Sequence, residues 1–143
     1  MQRLRDRVAV ITGAGSGIGL ASVRRLAAEG AQVVAVDIDG ETGKAAAEEA
    51  GGIFVQADVT SEDEVQAVYD TAAAEFGHVD IAFNNAGISP PEDDSILVTG
   101  LDAWRRVQEV NLTSVYLCCK HVIPHMQRAG GGTLCQHLSL IHI

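Results

Sequence analysis

Residues 8–19 read Val-Ala-Val-Ile-Thr-Gly-Ala-Gly-Ser-Gly-Ile-Gly, and the rest of the chain can be interpreted outward from this stretch. It begins as an apolar run rich in β-branched residues, which is typical of a strand buried on both faces of a sheet. Glycines interrupt the run, and a helical pattern follows with Gly19, Val23, Leu26 and Gly30 on one face. A strand, a glycine turn and a helix in this order predict the first half of a βαβ unit. In such a unit the free N–H groups at the helix N-terminus face a pyrophosphate.

The spacing of the glycines excludes the general dinucleotide pattern G-x-G-x-x-G, because position 18 is Ile18. The stretch fits T-G-x-x-x-G-I-G instead, and it thereby resembles the cofactor signature of the short-chain dehydrogenase/reductase family. The resemblance implies an α/β fold with a doubly wound parallel (Rossmann) sheet in three α/β/α layers. It also implies that the loop binds the cofactor through Gly13, Ser16, Gly17, Ile18 and Gly19. A lone glycine loop is otherwise compatible with an ordinary strand-to-helix turn.

The second predicted strand, residues 32–36, ends at Asp37, which lies 18 residues after Gly19. A carboxylate at this point can accept hydrogen bonds from the adenosine ribose of NAD, and it would repel the 2′-phosphate of NADP. No arginine follows it, since Ile38, Asp39 and Gly40 come next. We therefore expect Asp37 and Ile38 to bind NAD, with NADP disfavoured; a helix cap or turn is the alternative role for Asp37.

Two further strands end in residues that the resembled family uses for its cofactor. Asp58 and Val59 follow the third predicted strand, 53–56, and the resemblance implies that they contact the adenine ring. The Asp58 carboxylate can accept from the exocyclic amine, although a local turn would also explain it. Residues 84–87, Asn-Asn-Ala-Gly, follow the fourth predicted strand, 80–83, and match the second family signature. The resemblance implies cofactor contacts from Asn85, Ala86 and Gly87.

Catalysis in the resembled family uses a serine at the end of the fifth strand, and then a tyrosine four residues before a lysine. Ser139 falls at the position of that serine, and Asn111 at that of an asparagine in a helix bend that holds a water in the proton relay. An asparagine that merely interrupts a helix would have the same geometry. Tyr116 and Lys120 have the spacing of the catalytic pair but precede the fifth strand, so we interpret Tyr116 as a packing residue.

The helices carry three further expectations. Ser61 and Glu64 have the spacing of a capping box at the start of a helix that ends at Gly77. His121 and His125 are four residues apart, but Pro124 lies between them and a third ligand is lacking. We therefore expect surface or interface positions for both histidines and assign no metal site. The resemblance places a subunit interface on this helix, which makes a homo-oligomer possible.

Composition limits the classes of function. The chain has 143 residues, of which 47% are hydrophobic, so it is long enough for one domain with a sizeable core. A net charge of −9 argues against binding to nucleic acid or to anionic membranes, and simple solubility is the preferred explanation of the acidity. Three cysteines make no disulfide framework, and neither a signal-peptide pattern nor a long apolar run is present. These features indicate a cytoplasmic protein.

The resemblance covers Val8 to Leu134, whereas residues 135–143 depart from the pattern of the family. We expect these last residues to be a non-native tail and the sheet to lack the later strands of the family. The resemblance implies an oxidoreductase that transfers a hydride between NAD and a small carbonyl or secondary-alcohol substrate. Reductases of 3-oxoacyl carrier proteins and steroid, sugar or alcohol dehydrogenases all remain open. The 143 residues are expected to be inactive without the tyrosine and lysine; the alternative is a non-catalytic dinucleotide-binding or interaction module.

Overall fold

The structure, a computed structural model, describes residues 2–137. Strands and helices alternate along this part of the chain. The strands are β1 (Val8–Thr12), β2 (Gln32–Asp37), β3 (Ile53–Gln56), β4 (Ile81–Asn84) and β5 (Thr133–Gln136). The helices are α1 (Gly17–Ala28), α2 (Gly40–Ala50), α3 (Glu62–Phe76), α4 (Leu101–Gln108) and α5 (Ser114–Arg128), with a π-helical segment (Glu109–Thr113) between the last two.

The strands form one parallel sheet in the order β3-β2-β1-β4-β5. β1 is central, with Val10 opposite Val34 of β2 on one side and Ala82 of β4 on the other. β2 and β3 extend the sheet on one side of β1, and β4 and β5 then extend it on the other side. The direction of winding therefore reverses between β1 and β4. This confirms the predicted doubly wound α/β fold, and it predicts a ligand crevice at the carboxyl ends of these two strands.

Helices cover both faces of the sheet and form two cores. On one face, α1 and α2 cover a cluster that includes Val23, Val33 and Ala46. On the other face, α3 and α5 cover a larger cluster that includes Tyr69 and Val122. Tyr69 is 1% exposed and its hydroxyl lies 3.4 Å from Oδ1 of Asn84, and burial raises its pKa well above the usual value. The phenol therefore stays neutral and joins α3 to the end of β4.

The start of α3 differs from the expected capping box. Ser61 occupies the N-cap position, but its side chain makes no capping hydrogen bond. Glu64 instead accepts a hydrogen bond from the backbone N–H of Asp58 at 2.7 Å. The capping-box prediction was wrong because the carboxylate of Glu64 bonds to the loop after β3. There it holds the backbone of Asp58 next to the cavity described below.

The N-terminal segment is tied to the end of α1 through Glu29, which is 8% exposed. Arg3 donates to its carboxylate through Nε at 3.1 Å and Nη2 at 3.0 Å, and Arg25 donates at 2.6 Å. The hydrogen bonds from Arg3 lower the pKa of Glu29 from 4.5 to about 2, against the opposing effect of burial, and the charge of Arg25 adds to the decrease. Glu29 thus remains ionised in the folded chain at pH values where an unfolded glutamate is protonated.

This decrease in pKa predicts a specific acid sensitivity. Because the pKa of Glu29 is lower when the chain is folded, its contribution to stability is present above about pH 4.5 and is lost as the pH falls towards about 2. Glu29→Gln should reduce the acid dependence of the free energy of unfolding, measured by urea titration, by about one proton over that range. Glu75→Gln, on the exposed side of α3, is the control and should keep the wild-type dependence. Equal acid dependence in the wild type and in Glu29→Gln would contradict the assignment.

Among residues 2–137, no helix is long and apolar enough to cross a membrane.

Candidate functional site

A cavity of about 790 Å³ opens at the carboxyl edge of the sheet, where the reversal of winding predicts it. It collects residues from four separate β-to-α connections and from α4 and the π segment. Eleven of the twelve expected cofactor residues line it: Gly13, Ser16, Gly17, Ile18, Asp37, Ile38, Asp58, Val59, Asn85, Ala86 and Gly87. Asn111 lines it as well, whereas Ser139 lies outside the described residues.

The glycine loop presents free donors to this cavity. Ser16 is the N-cap of α1 and its side chain makes no capping hydrogen bond. The first backbone donor with a partner in the helix is Leu20, so within the described chain the N–H groups of residues 17–19 have no acceptor. Gly17 has a φ of +52°, and a Cβ built on it would meet no atom within 4 Å. The space beside Gly17 is therefore open to an anionic ligand at the positive end of the helix dipole.

Gly19, the twelfth expected cofactor residue, does not line the cavity. A Cβ on Gly19 would lie 1.9 Å from the carbonyl oxygen of Gly13 and 2.7 Å from Nδ2 of Asn85. The missing side chain allows the first turn of α1 to pack against the backbone of the loop. Gly19 thus allows the close packing of α1 on the glycine loop that maintains the shape of the loop.

Asp37 lies at the end of β2 on the cavity wall and holds the loop as well. Its Oδ2 accepts a hydrogen bond from the N–H of Gly15 at 2.8 Å, and its Oδ1 accepts one from Asp39 at 2.9 Å. Each carboxylate oxygen has a second acceptor position, so both remain able to accept from a ligand. Asp39, in turn, caps α2 by accepting from the N–H groups of Glu41 and Thr42.

Asp58 has the local-turn role that the sequence left open as an alternative, and its place on the cavity wall is compatible with the predicted adenine contact. Its Oδ1 accepts hydrogen bonds from the backbone N–H of Thr60 at 2.9 Å and from the Thr60 hydroxyl at 2.7 Å. It therefore forms a local turn, and it also lines the cavity together with Val59. The turn fixes the direction of the carboxylate.

The loop after β4 is held against β1 by Thr12, which is 3% exposed. Its Oγ1 accepts hydrogen bonds from the N–H groups of Asn85 and Ala86, both at 3.0 Å. Asn85 returns a hydrogen bond from Nδ2 to the carbonyl of Thr12 at 3.0 Å. These three bonds bring the two signature loops together across the crevice.

Asn111 lies in the π segment and is 7% exposed. Its Oδ1 accepts from the N–H of Ile88 at 2.7 Å, and its Nδ2 donates to the carbonyl of the same residue at 2.9 Å. The side chain therefore clamps the loop after β4 onto the helix. Around Asn111 the helix contains one widened turn and is otherwise continuous.

The comparisons with known proteins agree with this geometry. A family model described as short chain dehydrogenase matches residues 7–141. The chain belongs to the short-chain dehydrogenase family.

Several named dehydrogenases are similar to this chain over nearly all of its length. It is 46% identical over 140 residues to a cis-4-hydroxycyclohexanecarboxylate dehydrogenase of Sinomonas cyclohexanicum. The alignment covers 95% of this chain and 56% of that protein. It is 37% identical over 133 residues to an L-fucose dehydrogenase of Oryctolagus cuniculus. This alignment covers 92% of this chain and 46% of that protein.

A solved structure of the family superposes well. A hydroxysteroid dehydrogenase from Escherichia coli matches with a TM-score of 0.83 at 35% identity, over 94% of this chain and 55% of that chain. The chain thus spans about half the length of the relatives it matches.

In this member of the short-chain dehydrogenase family, Tyr116 and Lys120 do not line the cavity. Tyr116 is 60% exposed, so its interpretation as a packing residue was wrong. Lys120 lies 5.9 Å from the centre of the Tyr116 ring, and its Nζ donates to Glu62 at 2.6 Å. The pair belongs to the outer surface of α5.

The two histidines of α5, expected at surface or interface positions, lie where α5 meets α3. Their side chains are only 16% and 11% exposed, because they face α3. Nε2 of His121 lies 2.9 Å from Oε1 of Glu62, and Nε2 of His125 lies 3.1 Å from Oδ1 of Asp70. The four-residue spacing therefore serves the packing of α5 on α3.

Sequence reasoning missed several polar residues on the cavity wall: Thr60, Ser89, Asp93, Asp94, Arg106, Glu109 and His137. The first follows directly from Asp58 and could have been inferred from the turn. Asp93 and Asp94 belong to the loop after β4. Arg106 and Glu109 come from α4 and the π segment, and no motif marks them.

Proposed function

We propose that this chain is the cofactor-binding part of an NAD-dependent oxidoreductase. The observation that carries the proposal is a single cavity with free helix N-terminal donors beside Gly17 and the carboxylate of Asp37 on the same wall. An anion site and a hydroxyl-binding carboxylate in one crevice suit the diphosphate and the ribose of a dinucleotide. When bound, the nicotinamide ring supplies hydride chemistry.

The cavity wall has the properties that a dinucleotide needs. Ile18 and Ile38 line it and are 53% and 64% exposed, so a bound ligand would cover apolar surface there. We assign Asp58 and Val59 to the adenine end and residues 85–87 to the nicotinamide end. Gly13, Ser16 and Gly17 are assigned to the diphosphate.

We propose that NAD is preferred to NADP. The carboxylate of Asp37 would lie against a 2′-phosphate, and neither lysine nor arginine stands next to it in the sequence. Both of its oxygens already accept backbone hydrogen bonds, which holds the carboxylate in place. Rotating the Asp37 carboxylate away from the 2′-phosphate of NADP would break those two bonds. The carboxylate should therefore stay in place and repel the 2′-phosphate in the complex.

The substrate proposed is a small carbonyl compound or secondary alcohol, as membership of the family supports. Asn111 would hold a water of the proton relay beside the loop that it clamps, and Ser139 would orient the reacting oxygen. The 143 residues contain no Tyr-x-x-x-Lys after β5. We therefore expect them to bind the cofactor without turning over substrate by themselves.

Isothermal titration of the 143-residue chain with NAD and with NADP tests the proposal. We expect micromolar binding of NAD and binding of NADP that is weaker by about tenfold or more, which corresponds to about 1.4 kcal/mol. A parallel assay of NADH oxidation with cyclohexanone should show no turnover. Absence of NAD binding, or tighter binding of NADP, would overturn the assignment of the site.

A further inference from the structure

The charges on the cavity wall are strongly unbalanced. Arg106 is the only arginine or lysine among the described residues that line the cavity. Five carboxylates line the same cavity: Asp37, Asp58, Asp93, Asp94 and Glu109. A dinucleotide carries its own negative diphosphate, so the single cation on the wall should affect binding out of proportion to its number.

The guanidinium of Arg106 is free to meet a ligand. Arg106 is exposed, and within residues 2–137 its side chain makes neither an ion pair nor a hydrogen bond. Other arginines of the chain are engaged, as Arg7 is with Asp80 at 2.8 Å and Arg24 with Glu49 at 2.7 Å. Binding of a ligand by Arg106 would therefore break no existing contact.

The position of Arg106 favours one end of the cavity. It lies four residues before Val110, so both share one face of the α4–π segment, and both line the cavity. Val110 packs against the core cluster that contains Ala57 and Val59. The glycine loop, by contrast, leads into α1, which packs on the opposite face of the sheet. Arg106 thus lies about one helical turn from Val110, which packs on the same core cluster as Val59 of the assigned adenine end.

We propose that Arg106 closes over the adenosine half of the bound cofactor, with its guanidinium stacked on the exposed face of the purine ring. This inference rests on the proposed function. A planar guanidinium stacks on aromatic faces better than an ammonium does, and its charge offsets the surrounding carboxylates. Val59 covers the ring on the side of the sheet, and Arg106 covers it on the side of solvent. The diphosphate is already served by the donors of α1.

Titration with fragments of the cofactor tests the proposal. NAD, AMP and nicotinamide mononucleotide are titrated into the wild type, Arg106→Ala and Arg106→Lys, with far-UV circular dichroism to confirm folding. We expect Arg106→Ala to weaken NAD and AMP by about 5- to 30-fold and to leave nicotinamide mononucleotide within about twofold. Arg106→Lys should recover less than half of the loss on a logarithmic scale, because it restores the charge but not the planar group.

Arg105→Ala is the matched control, since Arg105 is also exposed, has the same charge and does not line the cavity. It should bind all three ligands as the wild type does. If Arg106→Ala matches Arg105→Ala for AMP, the proposal is overturned. If Arg106→Lys restores binding fully, charge alone acts and stacking is refuted. If the wild type binds no NAD, the proposed function fails, and the role of Arg106 falls with it.

Discussion

Gly19→Ala is expected to destabilise the chain by about 3 kcal/mol and to abolish measurable binding of NAD. The added Cβ would lie 1.9 Å from the carbonyl oxygen of Gly13 and 2.7 Å from its carbonyl carbon. Both are backbone atoms, so the clash is relieved only by moving the glycine loop or the first turn of α1. Either movement displaces the donors beside Gly17. Thermal unfolding should shift down by about 10 °C, and titration should detect no NAD binding.

Two other glycines separate loss of fold from loss of the site. Gly17→Ala places its Cβ in open space on the cavity wall, at a φ of +52°. It should cost only about 1 kcal/mol of stability through backbone strain and yet still block the diphosphate. Gly100→Ala, which has an extended backbone and no atom near the added Cβ, should change neither property by much. Retention of wild-type stability by Gly19→Ala would contradict the packing role.

The sheet and the signature loops could be predicted because local sequence determines them. An apolar run followed by glycines has few structural solutions, and the predicted third strand matches β3 residue for residue. The fourth strand begins at Ile81 instead of Asp80. The reason is tertiary: the carboxylate of Asp80 accepts a hydrogen bond from the N–H of Val8 and pairs with Arg7, so the residue serves the base of the sheet.

Contacts between helices could not be predicted in the same way. The spacing of His121 and His125 shows that they share one face of a helix, but not which element that face meets. Their partners, Glu62 and Asp70, lie two turns apart on α3, and only the packing of α5 on α3 brings the four side chains together. Periodicity of a single helix contains no such information.

The part of the site contributed by α4 and the π segment was hidden for a related reason. No hydrophobic period marks the widened turn at residues 109–113, in which Asn111 bonds to the backbone N–H and carbonyl of Ile88. Once the turn is formed, Arg106 and Glu109 face the cavity. These residues become candidates only when the register of the helix above the sheet is known.

Asp37→Asn is expected to reverse the choice of cofactor. The variant keeps the shape of the side chain but loses the charge that binds the ribose hydroxyls and repels a 2′-phosphate. Hydrogen bonds to charged groups contribute about 1.5–3 kcal/mol, so NAD should bind about 10- to 150-fold more weakly. NADP should bind at least as well as it does to the wild type. The ratio of the two dissociation constants, measured by titration, should therefore fall by about 100-fold.

Asp39→Asn is the control for charge alone, since it removes the same charge two residues away, outside the cavity, and asparagine is an equally good helix cap. If the two variants give the same ratio of dissociation constants, Asp37 does not select the cofactor.

Asp37 also accepts a hydrogen bond from the N–H of Gly15 at 2.8 Å, so the weaker acceptor in Asp37→Asn should loosen the glycine loop. Hydrogen exchange at Gly15 distinguishes the two effects. Faster exchange with an unchanged ratio would mean that Asp37 supports the loop only, whereas a changed ratio with unchanged exchange would mean that it contacts the ribose directly.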